Sequence, residues 1–176
     1  MPNTYVDRDG NGMINDKDRY YYYKPTPVVT MGLSSKFLYK NWDLGFSARA
    51  SLGNYMYNGV EAGSANVGRG AVYVNAFASN RPITAVERGL TTMLTEQFIS
   101  DCWIENASFL KLDNITLGYS FPRLFGYDIN GRIYATVQNV WTWTKYSGID
   151  PEVNGGYDGD IYPRALTSIL GLTLNF

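Results

Sequence analysis

Apolar and polar residues alternate with a period of two through several stretches of this chain, and that alternation predicts long β-strands. From Val28, one face carries Met31, Leu33, Ser35, Phe37 and Tyr39, and the other Gly32, Ser34, Lys36 and Leu38. After a tight connection at Tyr39-Lys40-Asn41, Trp42, Leu44, Phe46, Ala48, Ala50 and Leu52 oppose Asp43, Gly45, Ser47, Arg49 and Ser51. Two strands joined so closely make an antiparallel hairpin over residues 28–52. Alternation returns with Ile115, Leu117, Tyr119 and Phe121 and stops at Pro122. It resumes with Ile133, Ala135 and Val137 facing away from Arg132, Tyr134, Thr136 and Gln138, which gives a second hairpin over 104–144. A terminal strand, 165–176, sets Leu166, Ser168, Leu170, Leu172, Leu174 and Phe176 against Thr167, Ile169, Gly171, Thr173 and Asn175.

The remaining segments are loops: 1–27, rich in Asp, Asn, Gly and Tyr; 53–103; and 145–164. Residues 53–103 follow no single period, although Ala71–Phe77 fits a short strand and Thr91–Phe98 a turn or two of helix. A connection of that length is expected to be functional.

The alternating segments run ~10 residues or more, the length that crosses a membrane as a tilted strand, whereas soluble sheets favour ~5 to 6. Their apolar, aromatic face and their Gly, Ser and Thr-bearing face match the lipid-out, lumen-in pattern of membrane barrels. Lys36, Asp43, Arg49 and Arg132 all fall on the polar faces. Joins alternate short (39–41), long (53–103), short (122–130) and long (146–163), as periplasmic turns and extracellular loops do. The expected fold is therefore all-β, an antiparallel transmembrane β-barrel segment with 53–103 and 145–164 outside. Two places break the pattern: Lys111 and Asp113 share parity with Ile115, and Asn139 shares parity with Val137 and Trp141. Either they sit above the apolar band or a bulge resets the register. A soluble β-sandwich also alternates and is the competing fold.

Composition narrows the function. Fifteen basic against 16 acidic residues leave no positive field for nucleic acid. With no histidine, imidazole catalysis and imidazole metal ligation are excluded, and the single cysteine, Cys102, has no partner for an internal disulfide. No stretch approaches the ~20 apolar residues of a membrane helix, and Met1 to Asp9 is not a signal peptide. What stands out is 15 Tyr, 8 Phe and 4 Trp.

The run Glu105-Asn106-Ala107-Ser108-Phe109-Leu110-Lys111-Leu112-Asp113-Asn114-Ile115-Thr116-Leu117-Gly118-Tyr119 resembles the C-terminal end of SusC/RagA-type TonB-linked outer-membrane proteins. So do the segment from Gln138 through Trp141 and Trp143 to Glu152, the opening Asp7 to Arg19, and the closing strand to Phe176. The resemblance implies part of a ~22-stranded, TonB-energised importer of bulky nutrients, glycans or oligopeptides, in the outer membrane of a Gram-negative, Bacteroidetes-like cell. It also implies a SusD-like surface lipoprotein as partner, and TonB, reached through an N-terminal plug that this chain lacks. About five strands cannot close a barrel, for which ~8 is the practical minimum, so a C-terminal fragment inactive in isolation is expected. The alternative function is a secreted all-β carbohydrate-binding or glycan-hydrolysing module.

Four groups of residues are candidates for chemistry. Asp7, Asp9, Asn11, Met13 (through its carbonyl), Asn15 and Asp18 follow the spacing of an EF-hand calcium loop, with Gly12 at its sharp turn. Asp18 replaces the longer bidentate Glu and no amphipathic helix flanks the loop, so a polar Asx-rich turn is the other reading. Tyr146, Tyr157 and Tyr162, with Tyr20 to Tyr23, Tyr55 and Tyr57, could stack on sugar rings or form an interfacial girdle. The carboxylate pairs Asp150 with Glu152 and Asp158 with Asp160 read as solvated loop charges, and Cys102 as a small apolar side chain; no enzyme is expected. Gly171, Leu174 and Phe176 resemble the terminal signal that outer-membrane proteins present for assembly, with Ile169 departing from it.

Overall fold

The chain, seen in a computed structural model, is described over residues 5–65, 83, 87, 100–123, 129–159 and 162–175. The expected strand Ala71–Phe77, the helical turns Thr91–Phe98, Asp160 and Phe176 lie outside the described residues. The chain divides into two compact units, one assembled from Met1–Pro25, Tyr55–Asn106 and Ser147–Ile161, the other from Thr26–Asn54, Ala107–Tyr146 and Tyr162–Phe176.

The second unit is an antiparallel sheet of five strands: β1 (Val29–Tyr39), β2 (Trp42–Leu52), β5 (Phe109–Phe121), β6 (Asn130–Thr144) and β8 (Thr167–Asn175), in the order β1-β2-β5-β6-β8. Each strand lies beside the next spanning strand along the chain, the up-and-down order that short joins enforce. Lys40, at a left-handed φ of 53°, turns β1 into β2 with Tyr39 opposite Trp42.

Cross-strand register shows what the alternation achieves. Phe37, Leu44, Leu117, Ala135 and Leu170 form one continuous row, and Tyr39, Trp42, Tyr119, Ile133 and Leu172 the next, all on the same face. The opposite face carries Ser34, Ser47, Asn114, Gln138 and Thr167 in one row and Lys36, Gly45, Thr116, Thr136 and Ile169 in another. Leu33, Leu44, Leu117 and Leu170 stand exposed on the apolar face. A water-soluble sandwich would bury such a face; a lipid-facing barrel wall leaves it open. The eleven residues of β2 extend ~33 Å, which at a tilt of ~40° crosses ~25 Å, the height of an outer-membrane apolar band.

Both breaks in the alternation prove to be one feature. Ser47 and Ala48 of β2 are consecutive, but their partners on β5 are Asn114 and Leu112, so Asp113 is extra. Opposite Asn114 and Leu112, β6 offers Gln138 and Trp141, with Asn139 and Val140 intervening. The insertion thus grows from none to one to two residues across three strands. Asn139 takes a left-handed φ of 53°, which asparagine tolerates, and its side-chain amide donates to the Ala165 carbonyl at 3.0 Å. Past this bulge Leu112 and Leu110 face lipid with Trp141 and Trp143, while Lys111 shares the polar face with Arg49 and Thr142. The bulge, not a position above the apolar band, accommodates Lys111, Asp113 and Asn139.

The first unit holds a three-stranded sheet in the order β4-β3-β7, made of β3 (Tyr55–Asn58), β4 (Ile104–Asn106) and β7 (Tyr157–Asp158), with helix α1 (Gly59–Ala65) following β3. β3 pairs antiparallel with β4 and parallel with β7, so segments nearly a hundred residues apart meet. These elements are too short to leave a periodic signal, which is why 53–103 and 145–164 read as loop. Met56, Asn58, Trp103 and Asp158 are buried, and the odd-numbered Tyr55 and Tyr57 of β3 face the other way.

Candidate functional site

Four places carry the chemistry: the polar wall, the Asp-rich loop, the tyrosines and the end of the terminal strand. The first is the polar face of the five-stranded sheet. Arg132 on β6 reaches across β5 to Asp43 on β2, with Nη2 2.6 Å from Oδ2 and Nε donating to Oδ1 at 2.9 Å. The bridge passes over Gly118, where an added Cβ would sit 2.5 Å from Asp43 Oδ1 and 2.7 Å from Arg132 Nε. The missing side chain of Gly118 is the space the ion pair occupies. Sequence reasoning placed Asp43 and Arg132 on the right face but missed their union; a glycine amid an otherwise well-formed strand was the available signal. Further along, Asp113 accepts from Arg49 Nε with both carboxylate oxygens at 3.0 Å, so the bulged residue turns its charge to a cation on the polar face. Asn114 donates to Ser47 at 2.6 Å, and Thr116 and Thr136 share a hydrogen bond of 2.8 Å. The wall is hydroxylated at mid-height, where Lys36 shares the row of Thr116 and Thr136, and carries an ion pair towards each end.

The second is the Asp-rich loop of the first unit. Asp7, Asp9 and Asp18 each present an oxygen, and these atoms lie within 4.8 Å of one another. Oxygens on opposite sides of one calcium ion stand ~4.6 to 5.2 Å apart, so the three carboxylates fit a shared cation. The loop holds its shape through its own side chains: Asp7 accepts from the amides of Gly10 and Gly12, Asp9 and Asn11 from residues two further on, and the Asn15 amide donates to the Met13 carbonyl. Asp18 closes a short 3-10 turn (Asp16–Asp18) by accepting from Asn15 and Arg8 amides at 2.8 Å each. Those bonds, the Asn15 amide foremost, hold the Asp18 carboxyl below its ordinary value, which keeps it anionic.

The third is aromatic. Tyr23 stacks on Tyr55 with ring centres 3.8 Å apart and planes 2° from parallel, and Tyr57 stacks on Tyr157 at 5.6 Å and 8°. Tyr22 meets Tyr23 edge-on, and Arg8 lies 3.5 Å over Tyr20, whose hydroxyl donates to Asp101 at 2.5 Å. Burial raises the Tyr57 phenol above its usual range, and the neighbouring Tyr55 raises that of Tyr23, so both stay neutral. Of the tyrosines proposed for substrate, Tyr157 is half-exposed and Tyr162 lies open, whereas Tyr146 is 5% exposed and offers no ring to a ligand. Behind the tyrosines, on the buried side of β3, Asn58 Nδ2 lies 3.3 Å from Glu61 and Glu105 carboxylate oxygens and donates to Ser147 Oγ at 3.1 Å. No sequence pattern pointed to that cluster, whose members come from three distant segments. Asp150 accepts from the Glu152 amide at 2.9 Å as a local turn, and Cys102 is exposed.

The fourth is the end of β8. Leu174 pairs with Gly131, and Gly171 pairs with Tyr134, whose ring lies over the glycine where any Cβ would stand. Gly171 is therefore fixed by packing against β6.

The exposed apolar face, the hydroxylated wall and the up-and-down order define a segment of a membrane-spanning β-barrel. No family model matches the chain. Among curated proteins it is 49% identical over its whole length to the TonB-dependent receptor SusC of Bacteroides thetaiotaomicron, covering 18% of that protein. It is 33% identical, over 98% of its length, to the TonB-dependent receptor P3 of Formosa agariphila, covering 19% of it. A solved structure of the RagAB peptide importer in a closed-closed state superposes with a TM-score of 0.70 at 24% identity, over 97% of this chain and 20% of that one. An open-open state of the same importer gives 0.64 at 26% identity, over 86% and 17%. The chain is a barrel segment of the SusC/RagA family of TonB-dependent receptors, and it spans about a fifth of the length of the relatives it matches.

Proposed function

We propose that this chain supplies five wall strands and outer loops to an outer-membrane importer that takes up bulky nutrients, glycans or oligopeptides, with TonB supplying energy and a SusD-like lipoprotein as surface partner. The observation that carries this reading is the five-strand register that separates a lipid face from a lumen face without a misplaced charge, in a chain half identical to a TonB-dependent receptor. An open five-stranded sheet leaves two edges of unpaired backbone groups in lipid, each costing several kcal/mol, so the segment transports only within a complete barrel. Substituting residues 1–176 for the matching segment of the Bacteroides thetaiotaomicron receptor is expected to preserve outer-membrane assembly and TonB-dependent uptake. Assembly without uptake would reduce the role of the segment to scaffolding, and an isolated chain that inserts as a heat-modifiable barrel would overturn it.

The convergence of three carboxylates supports calcium at the Asp-rich loop, with Asp7, Asp9 and Asp18 as anionic ligands and Asn11, Asn15 and the Met13 carbonyl completing the oxygen set. A divalent ion there would neutralise their mutual repulsion and fix the loop. Calorimetry of the chain with calcium is expected to show one site per chain, lost in Asp9→Asn and weakened at acid pH as Asp18 protonates. No heat at millimolar calcium would leave the Asx-rich turn as the full account.

A further inference from the structure

An asparagine followed by glycine can attack itself, because no Cβ hinders the glycine nitrogen as it closes on the asparagine Cγ. The chain holds four such pairs: Asn11-Gly12, Asn58-Gly59, Asn130-Gly131 and Asn154-Gly155. Ring closure needs the nitrogen to reach the carbon in the right geometry, and the fold denies that to three of them. The Gly12 amide donates to Asp7 Oδ2 at 2.7 Å and the Asn11 side-chain amide to Asp9 Oδ2 at 2.8 Å, so nitrogen and carboxamide are both held. Asn58 is 2% exposed, accepts from the Glu61 amide at 3.0 Å and donates to Ser147 Oγ at 3.1 Å. Gly131 pairs with Phe121 on one side and Leu174 on the other, which keeps its backbone extended, and the Phe121 ring covers it.

The fourth pair is different. Asn154 and Gly155 lie in an exposed turn, and neither enters a hydrogen bond among the described residues. Gly155 takes a left-handed φ of 86°, and a Cβ there would meet nothing within 4 Å. We propose that Asn154-Gly155 is a site of spontaneous covalent modification that loosens β7. The Gly155 nitrogen forms a bond to Asn154 Cγ and loses its proton, the side-chain nitrogen leaves as ammonia, and water then opens the cyclic imide. Opening at one carbonyl leaves aspartate, and at the other β-linked isoaspartate. The second product lengthens the main chain by one carbon, ~1.5 Å. That change falls two residues before Gly156, whose carbonyl accepts from the Tyr57 amide at 2.8 Å and whose Cα lies under Pro25. Next come Tyr157 and Asp158, the only two residues of β7, paired with Tyr57 and Asn58 of β3. So short a strand has no further ladder bonds to hold it once its entry is displaced. The proposal concerns the covalent chemistry of this turn and does not depend on the transport reading.

The test ages the substituted receptor, in detergent at mildly alkaline pH, in water enriched in heavy oxygen. Digestion and mass spectrometry should find one heavy oxygen gained and ammonia lost at Asn154, with isoaspartate methyltransferase labelling the same peptide. Conversion there should run about tenfold or more ahead of Asn11, Asn58 and Asn130. In denaturant all four should convert at comparable rates, which shows that the fold makes the difference. Chymotryptic cleavage after Tyr157 should rise as the native receptor ages, and stay at its starting level in Asn154→Gln, which cannot close the five-membered ring. Asn154→Asp, which adds the charge without the extra carbon, should also stay at the starting level. Conversion at Asn154 no faster than at the other three would overturn the site. Conversion with unchanged cleavage, or a rise in Asn154→Asp equal to that of the aged receptor, would overturn its effect on β7.

Discussion

Gly118→Leu is expected to unfold the sheet at markedly lower denaturant, because the new side chain must occupy the path of the Arg132–Asp43 bridge. The cost has two parts. Forcing a side chain into filled space costs about 1 to 3 kcal/mol, and the severed pair adds to it. Losing one partner of a fully buried pair costs about 3 to 5 kcal/mol, but here the Arg132 and Asp43 side chains are 33% and 10% exposed, so water recovers part of that. Together about 2 to 4 kcal/mol is expected for Gly118→Leu, and a smaller loss of about 1 to 2 kcal/mol for Arg132→Met, which breaks the pair without a clash. Denaturant titration of the substituted receptor in detergent measures both. Equal stability of Gly118→Leu and the native chain would mean that the bridge does not cross Gly118.

The second large effect separates the two faces of the wall. Ile115→Arg places a charge in the row Phe46–Ile115–Val137, midway along the apolar face, and should cost about 2 to 4 kcal/mol in lipid. Thr116→Arg, one residue on, points to the polar wall and should lose only its hydrogen bond with Thr136, about 1 kcal/mol. Outer-membrane levels of the two variants in the substituted receptor should differ accordingly, with Ile115→Arg depleted and Thr116→Arg near normal. The reverse ranking would exchange lumen and lipid faces throughout.

Much of the wall was legible in the chain. Both hairpins and the terminal strand stand within a few residues of where alternation placed them, and the charges chosen to test the faces lie on the polar side. The residues that refused the pattern marked a real feature, but not its form. Parity shows that a register has slipped somewhere near Asp113 and Asn139. It does not show that one residue is extra on β5 and two on β6, since a bulge is counted against a neighbour. The Asx turns of the Asp-rich loop were equally legible, because each closes within a few residues.

The tyrosines show the opposite case. In the sequence Tyr146 and Tyr157 looked alike, both in a Gly-rich stretch after a strand. The structure packs the first away and stacks the second on Tyr57, a hundred positions earlier. Nothing local distinguishes them, and the place of Tyr157 is set by the parallel pairing of β7 with β3, far along the chain.

The sequence by itself determined the strands of the wall, their faces and the membrane they suit, since side-chain alternation along an extended strand is a local property with a period of two. Only the tertiary structure decided which strand Asp113 answers to, why Gly118 bears no side chain, and which tyrosines share a face. Those depend on groups brought together from 64 to 100 positions apart, as the Arg49–Asp113 bond and the Tyr57–Tyr157 stack are. Contacts of that range are set by the pairing of whole segments, which no short stretch of the chain encodes.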